Sequence, residues 1–397
     1  MAVNHILRRK PVEQSVYELA LERLHHVYDL FDTIVVAFSG GKDSTILLNL
    51  TLQVARERKR VPVIAQFHDE ECIPLETVDY IRRVIAAGDV ELRWFCLPVK
   101  HRNACSRREP FWYPWDPRCP EKWVCELPRE GITELDGFRF LEHSTVDIEG
   151  LAFPPEQYGQ VGTLLGIRAQ ESPTRRWAVS RKAVDNYIIH SKESGSRGNV
   201  YKVYPIYDWR TEDVWTAPKL FGWDYNAAYD LMDKFGLSPT EQRCAPPFGE
   251  QPMRNLAMYK TCFPDLWERM HNRVPGAATA ARYSTTQLYS FGARPEKPTG
   301  MSWQDFTLSL LDKFEPDVKR INAKRLHEIV RRHYRKTSDP IVYGAPHPLT
   351  GVSWKFVIGI AARGDLKGRR QEHVEIAGRD HAELVARYAA ARAEEAL

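Results

Sequence analysis

The hydrophobic positions in the first half of this chain alternate between two periods. Residues 16–30 repeat apolar side chains at helical spacing, with Ser15 placed to cap them. Residues 33–38 form an unbroken β-branched and aromatic run, the pattern of a strand covered on both faces. Helical spacing returns over 44–58. A second strand follows over 61–67, with Pro62 tolerable near its start, then a helix over 75–87 and a third strand over 90–99. Such spacings call for right-handed crossovers between parallel strands, so the expected fold is α/β with a doubly wound parallel sheet. Ligands of these sheets bind at the carboxyl ends of strands.

The rhythm breaks between 100 and 160, a stretch rich in Trp, Pro, Arg and Cys such as Glu109-Pro-Phe-Trp-Tyr-Pro-Trp-Asp-Pro117. It is too aromatic for a disordered linker and reads as an ordered insertion covering the site. A local aromatic core is one reading; a platform of interleaved Trp and Arg that stacks a base is the other. The sheet resumes at 161–167. From about 253 the alternation is lost, with a linker at 295–299, helices at 302–313 and 317–336, and an Ala-rich helix at 382–397. Two regions are expected, a nucleotide-binding domain over 1–250 and a mainly helical region over 251–397.

The junction after the first strand carries the strongest chemical signal: Ser39, Gly40, Gly41, Lys42, Asp43 and Ser44. Adjacent glycines let the backbone turn sharply and approach an anion. The serines add hydroxyl donors, Lys42 adds a cation, and Asp43 or Ser44 can cap the helix that follows. The spacing is neither G-x-x-x-x-G-K-[ST] nor G-x-G-x-x-G. A second anion site is expected at 161–175, where Arg168 ends a strand and Arg175 follows one or two turns later, because guanidinium pairs bidentately with phosphate or sulfate.

These residues resemble the PP-loop family, which comprises the N-type ATP pyrophosphatases and the phosphoadenylylsulfate (PAPS) reductases. Ser-Gly-Gly-Lys-Asp-Ser matches the loop, and Gly166-Ile-Arg-Ala169 with Glu171, Ser172 and Arg175 matches the second signature. Tyr204-Pro-Ile-Tyr-Asp-Trp209 with Glu212-Asp-Val-Trp215 matches the third, and Asp224-Tyr-Asn226 to Tyr229-Asp230 continues the likeness. The matches span about residues 30 to 250 in order. The acidic segment His68-Asp69-Glu70-Glu71 resembles the family's segment beside the ribose or a bound Mg²⁺, which implies Asp69 and Glu70 as metal ligands. ATP and Mg²⁺ are the implied cofactors. Lys42, Asp43 and Arg168 are the implied catalytic residues, and Ser39–Ser44 with Arg168 and Arg175 the implied nucleotide-binding set. A finer likeness is to the phage- and plasmid-borne immunoglobulin-binding regulators, which implies a ParB-like partner protein.

One departure shapes the reaction. Reductases of this family use a cysteine in a C-terminal tail, and no cysteine follows Cys262 here. Three activities remain: an ATP pyrophosphatase-like enzyme that adenylylates an acceptor, a PAPS reductase with Cys244 or Cys262 as a relocated nucleophile, and a nucleotide-dependent DNA-binding regulator. The last rests on the 317–336 helix. There Lys319, Arg320, Lys324, Arg325, Arg331, Arg332, Arg335 and Lys336 are opposed only by Asp317 and Glu328, and further basic residues lie at 363–370.

Composition narrows the setting without choosing among these. The 397 residues are 43% hydrophobic and 27% charged with a net charge of +4, ordinary for a soluble globular protein. No apolar run approaches a membrane span and the first ten residues lack a signal core, so a cytoplasmic protein is expected. The seven cysteines show no C-x-x-C spacing, which disfavours a disulfide framework and an iron–sulfur site. His101, Cys105, Cys119 and Cys125 are a weak zinc candidate; buried free thiols are the alternative.

Overall fold

The computed structural model describes residues 13–106, 108–172, 175–176, 179, 185–191, 198–239, 241–249, 256–283, 296–364, 371–377 and 379–395. Two compact units form, Val12–Ser284 and Thr285–Leu397.

The first unit begins with α1 (Val16–Leu30), whose Ser15 and Glu18 form a reciprocal capping box. Then come β1 (Thr33–Ala37), α2 (Lys42–Glu57), β2 (Val63–His68), α3 (Leu75–Ala86) and β3 (Val90–Phe95). The insertion holds a two-stranded ribbon of β4 (His101–Arg102) and β5 (Phe111–Trp112), followed by α4 (Thr145–Ala152) and α5 (Pro155–Tyr158). The sheet is completed by β6 (Val161–Leu164), β7 (Ile188–His190) and β8 (Val200–Val203), in the order β3-β2-β1-β6-β8-β7. Every pairing is parallel except β7 with β8. That antiparallel edge strand has only three residues, too few for periodicity to announce it.

Alternation along β1 shows why both faces are covered. Ile34 and Val36 join Leu24, Val27, Leu47 and Leu50 of α1 and α2 on one face, while Val35 packs with Phe153, Val161 and Val200 on the other. The chain runs outward from β1 to β3, then returns through α4 and α5 to place β6 on the opposite side of β1. The strand order therefore reverses between β1 and β6, and their carboxyl ends flank the crevice where doubly wound sheets bind ligands.

The insertion is a local aromatic core. Trp112 and Trp115 are buried, Trp115 meets Trp123 edge-on at 5.4 Å, and Trp112 meets Phe248 edge-on at 5.1 Å. Trp115 Nε1 donates to the Asp69 carbonyl at 2.9 Å. Rings committed in this way cannot also stack a base, which sets aside the base-platform reading for Trp112 and Trp115.

After β8 come α6 (Thr211–Phe221), α7 (Ala228–Lys234), α8 (Leu256–Cys262), α9 (Pro264–Arg273) and α10 (Ala277–Tyr283). The last three belong to the first unit, so its end lies near 284 rather than at the expected 250. A buried ion pair explains the difference. Glu71 is fully buried, and Arg273 of α9 bonds both its carboxylate oxygens at 2.8 and 3.0 Å. The same carboxylate accepts from the Trp115 and Val124 amides at 2.7 and 2.9 Å. The sequence shows none of this, because the partners are 202 positions apart.

The second unit comprises α11 (Trp303–Leu311), α12 (Pro316–Lys336), α13 (Trp354–Arg363) and α14 (His381–Glu395). Leu310, Leu311, Ile329, Phe356 and Ile360 form its core. Helix α12 buries Val318, Asn322, Leu326, Ile329 and His333 and turns most of its basic side chains to solvent. Residues 365–370 of the basic run at 363–370, and 295 of the expected linker, lie outside the described residues. No described helix is long and apolar enough to cross a membrane.

Removing one member of a buried pair strands the other, at a cost of about 3–5 kcal/mol. Arg273→Met is expected to destabilise the first unit by an amount in that range in urea unfolding, and the Glu71→Gln/Arg273→Met double variant to recover part of the loss.

Candidate functional site

The turn after β1 is built so that only glycine fits its first position. Gly40 has φ of +67°, and a Cβ there would lie 2.9 Å from Thr77 Cγ2. Asn226 holds this residue, donating from Nδ2 to the Gly40 carbonyl at 3.0 Å and to Thr77 Oγ1 at 2.8 Å. Helix α2 starts directly afterwards with Gly41 as its N-cap and no side-chain cap, so neither Asp43 nor Ser44 plays the capping role expected of it. Ser44 Oγ instead accepts from the Ser39 amide at 3.2 Å and donates to the Gly41 carbonyl at 2.9 Å, bracing the loop from inside.

Not every amide of the loop is left for a ligand. The Lys42 amide donates to the Tyr229 hydroxyl at 2.8 Å. Tyr229 is buried and packs edge-on against Trp215 at 5.2 Å, and burial raises its pKa well above the ordinary value. The Lys42 ammonium lies 5.3 and 5.5 Å from the Tyr229 and Trp215 ring centres and donates to the Gln242 carbonyl at 2.9 Å. Asn226, Tyr229 and Trp215 were legible as motif residues, but their grip on the loop was not.

The expected second anion site sits against the first. Arg168, 3% exposed, bonds Asp43 Oδ1 from Nε at 2.5 Å, and its Nη1 reaches Thr211 Oγ1 at 3.3 Å. Gly166 makes this approach possible, since a Cβ there would lie 2.9 Å from the Asp43 carbonyl carbon and 3.1 Å from the Ser44 amide nitrogen. Asp43 thus orients Arg168. Arg175 pairs with Glu171 one turn away. Burial is the main cause lowering the Lys42 pKa, with Arg168 and Arg243 adding to it and Asp43 and Cys244 opposing. Burial also lowers the Arg175 pKa, and Arg243 and Arg168 push the same way. Lys42, Arg168, Arg175 and Arg243 therefore share one field at the β1–β6 switch point. Two carboxylates, Asp43 and Glu171, are paired into it. The arrangement is suited to a polyanion. Arg243 is the member that sequence reading missed, since it stands outside every motif.

The acidic segment is structural. Asp69 Oδ1 accepts from the Glu71 amide at 2.7 Å and Oδ2 from Trp94 Nε1 at 2.9 Å, and burial raises its pKa to about 6. The Glu70 carboxylate lies 3.7 Å from His101 Nδ1. The Asp69 carboxylate thus fixes its turn and the Trp94 ring. No group of three or more His, Cys, Asp or Glu among the described residues is placed to hold a metal, including the Cys105, Cys119 and Cys125 candidate. All seven cysteines are free thiols.

The two thiols proposed as relocated nucleophiles are buried and disfavour the thiolate form. Cys244 is buried, accepts from Asn226 Nδ2 at 3.5 Å, and is pushed by burial to a pKa of about 11. Cys262 is likewise buried, with its pKa raised by burial.

Comparison with known proteins places the chain. The uncharacterized protein YbdN of Escherichia coli (strain K12) is 30% identical over 314 residues, which cover 76% of this chain and 76% of YbdN. The chain belongs to the YbdN family. A domain of unknown function, DUF3440, matches residues 236–341. Among solved structures, the FMN adenylyltransferase of Candida glabrata shares 15% identity at a TM-score of 0.34, over 56% of this chain and 63% of that one. The PAPS reductase of Candida auris shares 17% at 0.32, over 58% of this chain and 92% of that one. In this YbdN-family chain the β1 loop, the β6 end and the start of the DUF3440 match meet in one unit.

A thiol with a pKa near 11 is only about one part in a thousand thiolate at pH 8. Native Cys244 is therefore expected to resist iodoacetamide at pH 8 over a period that fully alkylates the urea-unfolded chain, as read by peptide mass spectrometry. Rapid native labelling of Cys244 would show an accessible thiolate.

Proposed function

We propose that this protein is a PP-loop enzyme that binds ATP and activates an acceptor by adenylylation. The carrying observation is the cationic field of Lys42, Arg168 and Arg175 around the Ser39–Ser44 turn at the switch point. In the proposed step an acceptor oxygen or nitrogen forms a bond to the α-phosphorus. The bond from the α-phosphorus to the bridging oxygen breaks, pyrophosphate leaves with that electron pair, and the acceptor's proton passes to solvent. Negative charge grows on the departing pyrophosphate, so fixed cations aimed at it lower the barrier. Lys42 serves this role from its anchor on the Gln242 carbonyl, and Arg168 serves it from the orientation set by Asp43.

The thiol chemistry favours this reading over PAPS reduction. Attack on the sulfonucleotide sulfur needs a thiolate, and Cys244 and Cys262 are both buried with raised pKa values. The basic face of α12 belongs to the other unit and plays no part in the proposed step.

Gly41 has φ of −81°, which any residue adopts, and a Cβ there would meet Ser39 Oγ at 3.2 Å and the Tyr229 hydroxyl at 3.4 Å. Gly41→Val is therefore expected to fold while crowding the loop, and to abolish ATP binding by calorimetry. Wild-type affinity in that variant would sink the proposal. Pyrophosphate release from ATP is expected to fall about a hundredfold or more in Arg168→Ala, as for loss of a transition-state donor, and to be unchanged in Arg331→Ala on α12.

A further inference from the structure

We infer that Arg243 is a further phosphate-gripping cation of the site, supplied by the segment with which the DUF3440 match begins. The inference rests on the ATP reading above and adds a residue and a source to it. Residues 242–248 form a wall of the site whose backbone is pinned from several sides. The Gln242 carbonyl accepts the Lys42 ammonium at 2.9 Å, and the Gln242 side chain, 2% exposed, donates to the Leu237 carbonyl at 2.9 Å. The Cys244 and Ala245 carbonyls accept the Tyr259 hydroxyl at 3.1 and 2.9 Å, and the Phe248 carbonyl accepts the Ala104 amide at 2.7 Å. Cys244 is buried against Asn226, which also holds Gly40.

Between the buried Gln242 and Cys244, Arg243 is exposed. It directly follows the residue whose carbonyl holds the Lys42 ammonium at 2.9 Å, and its charge disfavours the protonated forms of Lys42 and Arg175. Asp43 is taken by Arg168 and Glu171 by Arg175. Neither Lys42 nor Arg243 has a carboxylate within ion-pair distance among the described residues. Cations gathered at one site raise the local concentration of anions and favour a polyanionic ligand. The number of cations favours a ligand with several negative charges close together, as a polyphosphate has and a nucleoside monophosphate lacks. A guanidinium also offers the planar two-point contact with phosphate that an ammonium cannot.

The test is calorimetry on the full chain with three probes: ATP, AMP and inorganic pyrophosphate. Arg243→Ala is expected to weaken ATP and pyrophosphate about tenfold or more, as for loss of a charge-assisted hydrogen bond, and to leave AMP within about twofold. Arg243→Lys is expected to recover part of the loss. Because the side chain is exposed, thermal melting should be unchanged, which separates lost binding from lost folding. ATP and pyrophosphate affinities within about twofold of wild type in Arg243→Ala would overturn the inference and leave the ATP reading standing. Pyrophosphate binding that depends on Arg243, in a protein that does not bind ATP, would keep the anion contact and remove the ATP reading. A wild-type protein that binds none of the three probes overturns both.

Discussion

The ion pair between Asp43 and Arg168 is the contact on which the rest of the site depends. It joins the first turn of α2 to the end of β6 across the point where the strand order reverses, at 2.5 Å and with Arg168 almost wholly buried. A buried guanidinium needs its charge matched, and Asp43 matches it at the one place where two strand ends meet. Gly166 is the steric condition for that contact, since any Cβ there would strike the backbone of Asp43. The pair thereby ties the start of α2 to the segment after β6.

Around this pair the molecule spends polar groups on holding the loop. Asn226 fixes Gly40, Tyr229 takes the Lys42 amide, and the Gln242 carbonyl holds the Lys42 ammonium. Each partner comes from a segment more than 180 positions further along the chain. A loop supported in this way is preorganised, so it holds its conformation without help from a ligand. The Glu71–Arg273 pair plays a parallel part on the other side of β2, where it ties α9 and the aromatic insertion to the strand end.

Some residues with chemically suggestive side chains turn out to be architectural. Asp69, whose place after the second strand matches the family's acidic segment, accepts hydrogen bonds at both oxygens that set the turn and the Trp94 ring. The tryptophans of the insertion read as a stacking surface in one alternative, and Trp112 and Trp115 are packed inward. Residue type and spacing cannot separate a ligand from a strut, because both require a polar group at a strand end. The difference lies in what each lone pair or ring face already touches.

The sequence by itself determined the α/β alternation, the parallel strands β1 to β3, the sharp Gly-Gly turn and a strand from Val161, which ends at Leu164 rather than 167 and leaves Arg168 in the segment that follows. These follow from local rules: period, β-branching, glycine freedom and chain order. Helical spacing also puts Leu326, Ile329, Val330 and His333 on the apolar side of α12, where Val330 is partly buried and the other three are buried. Tertiary structure alone decided the antiparallel β7, the extension of the first unit to 284, and the bringing of the 242–244 segment against the loop after β1. Each of these depends on which distant segments come together. Burial and charge pairing between residues such as Glu71 and Arg273 leave no periodic trace, because neither partner's neighbours along the chain take part in the contact.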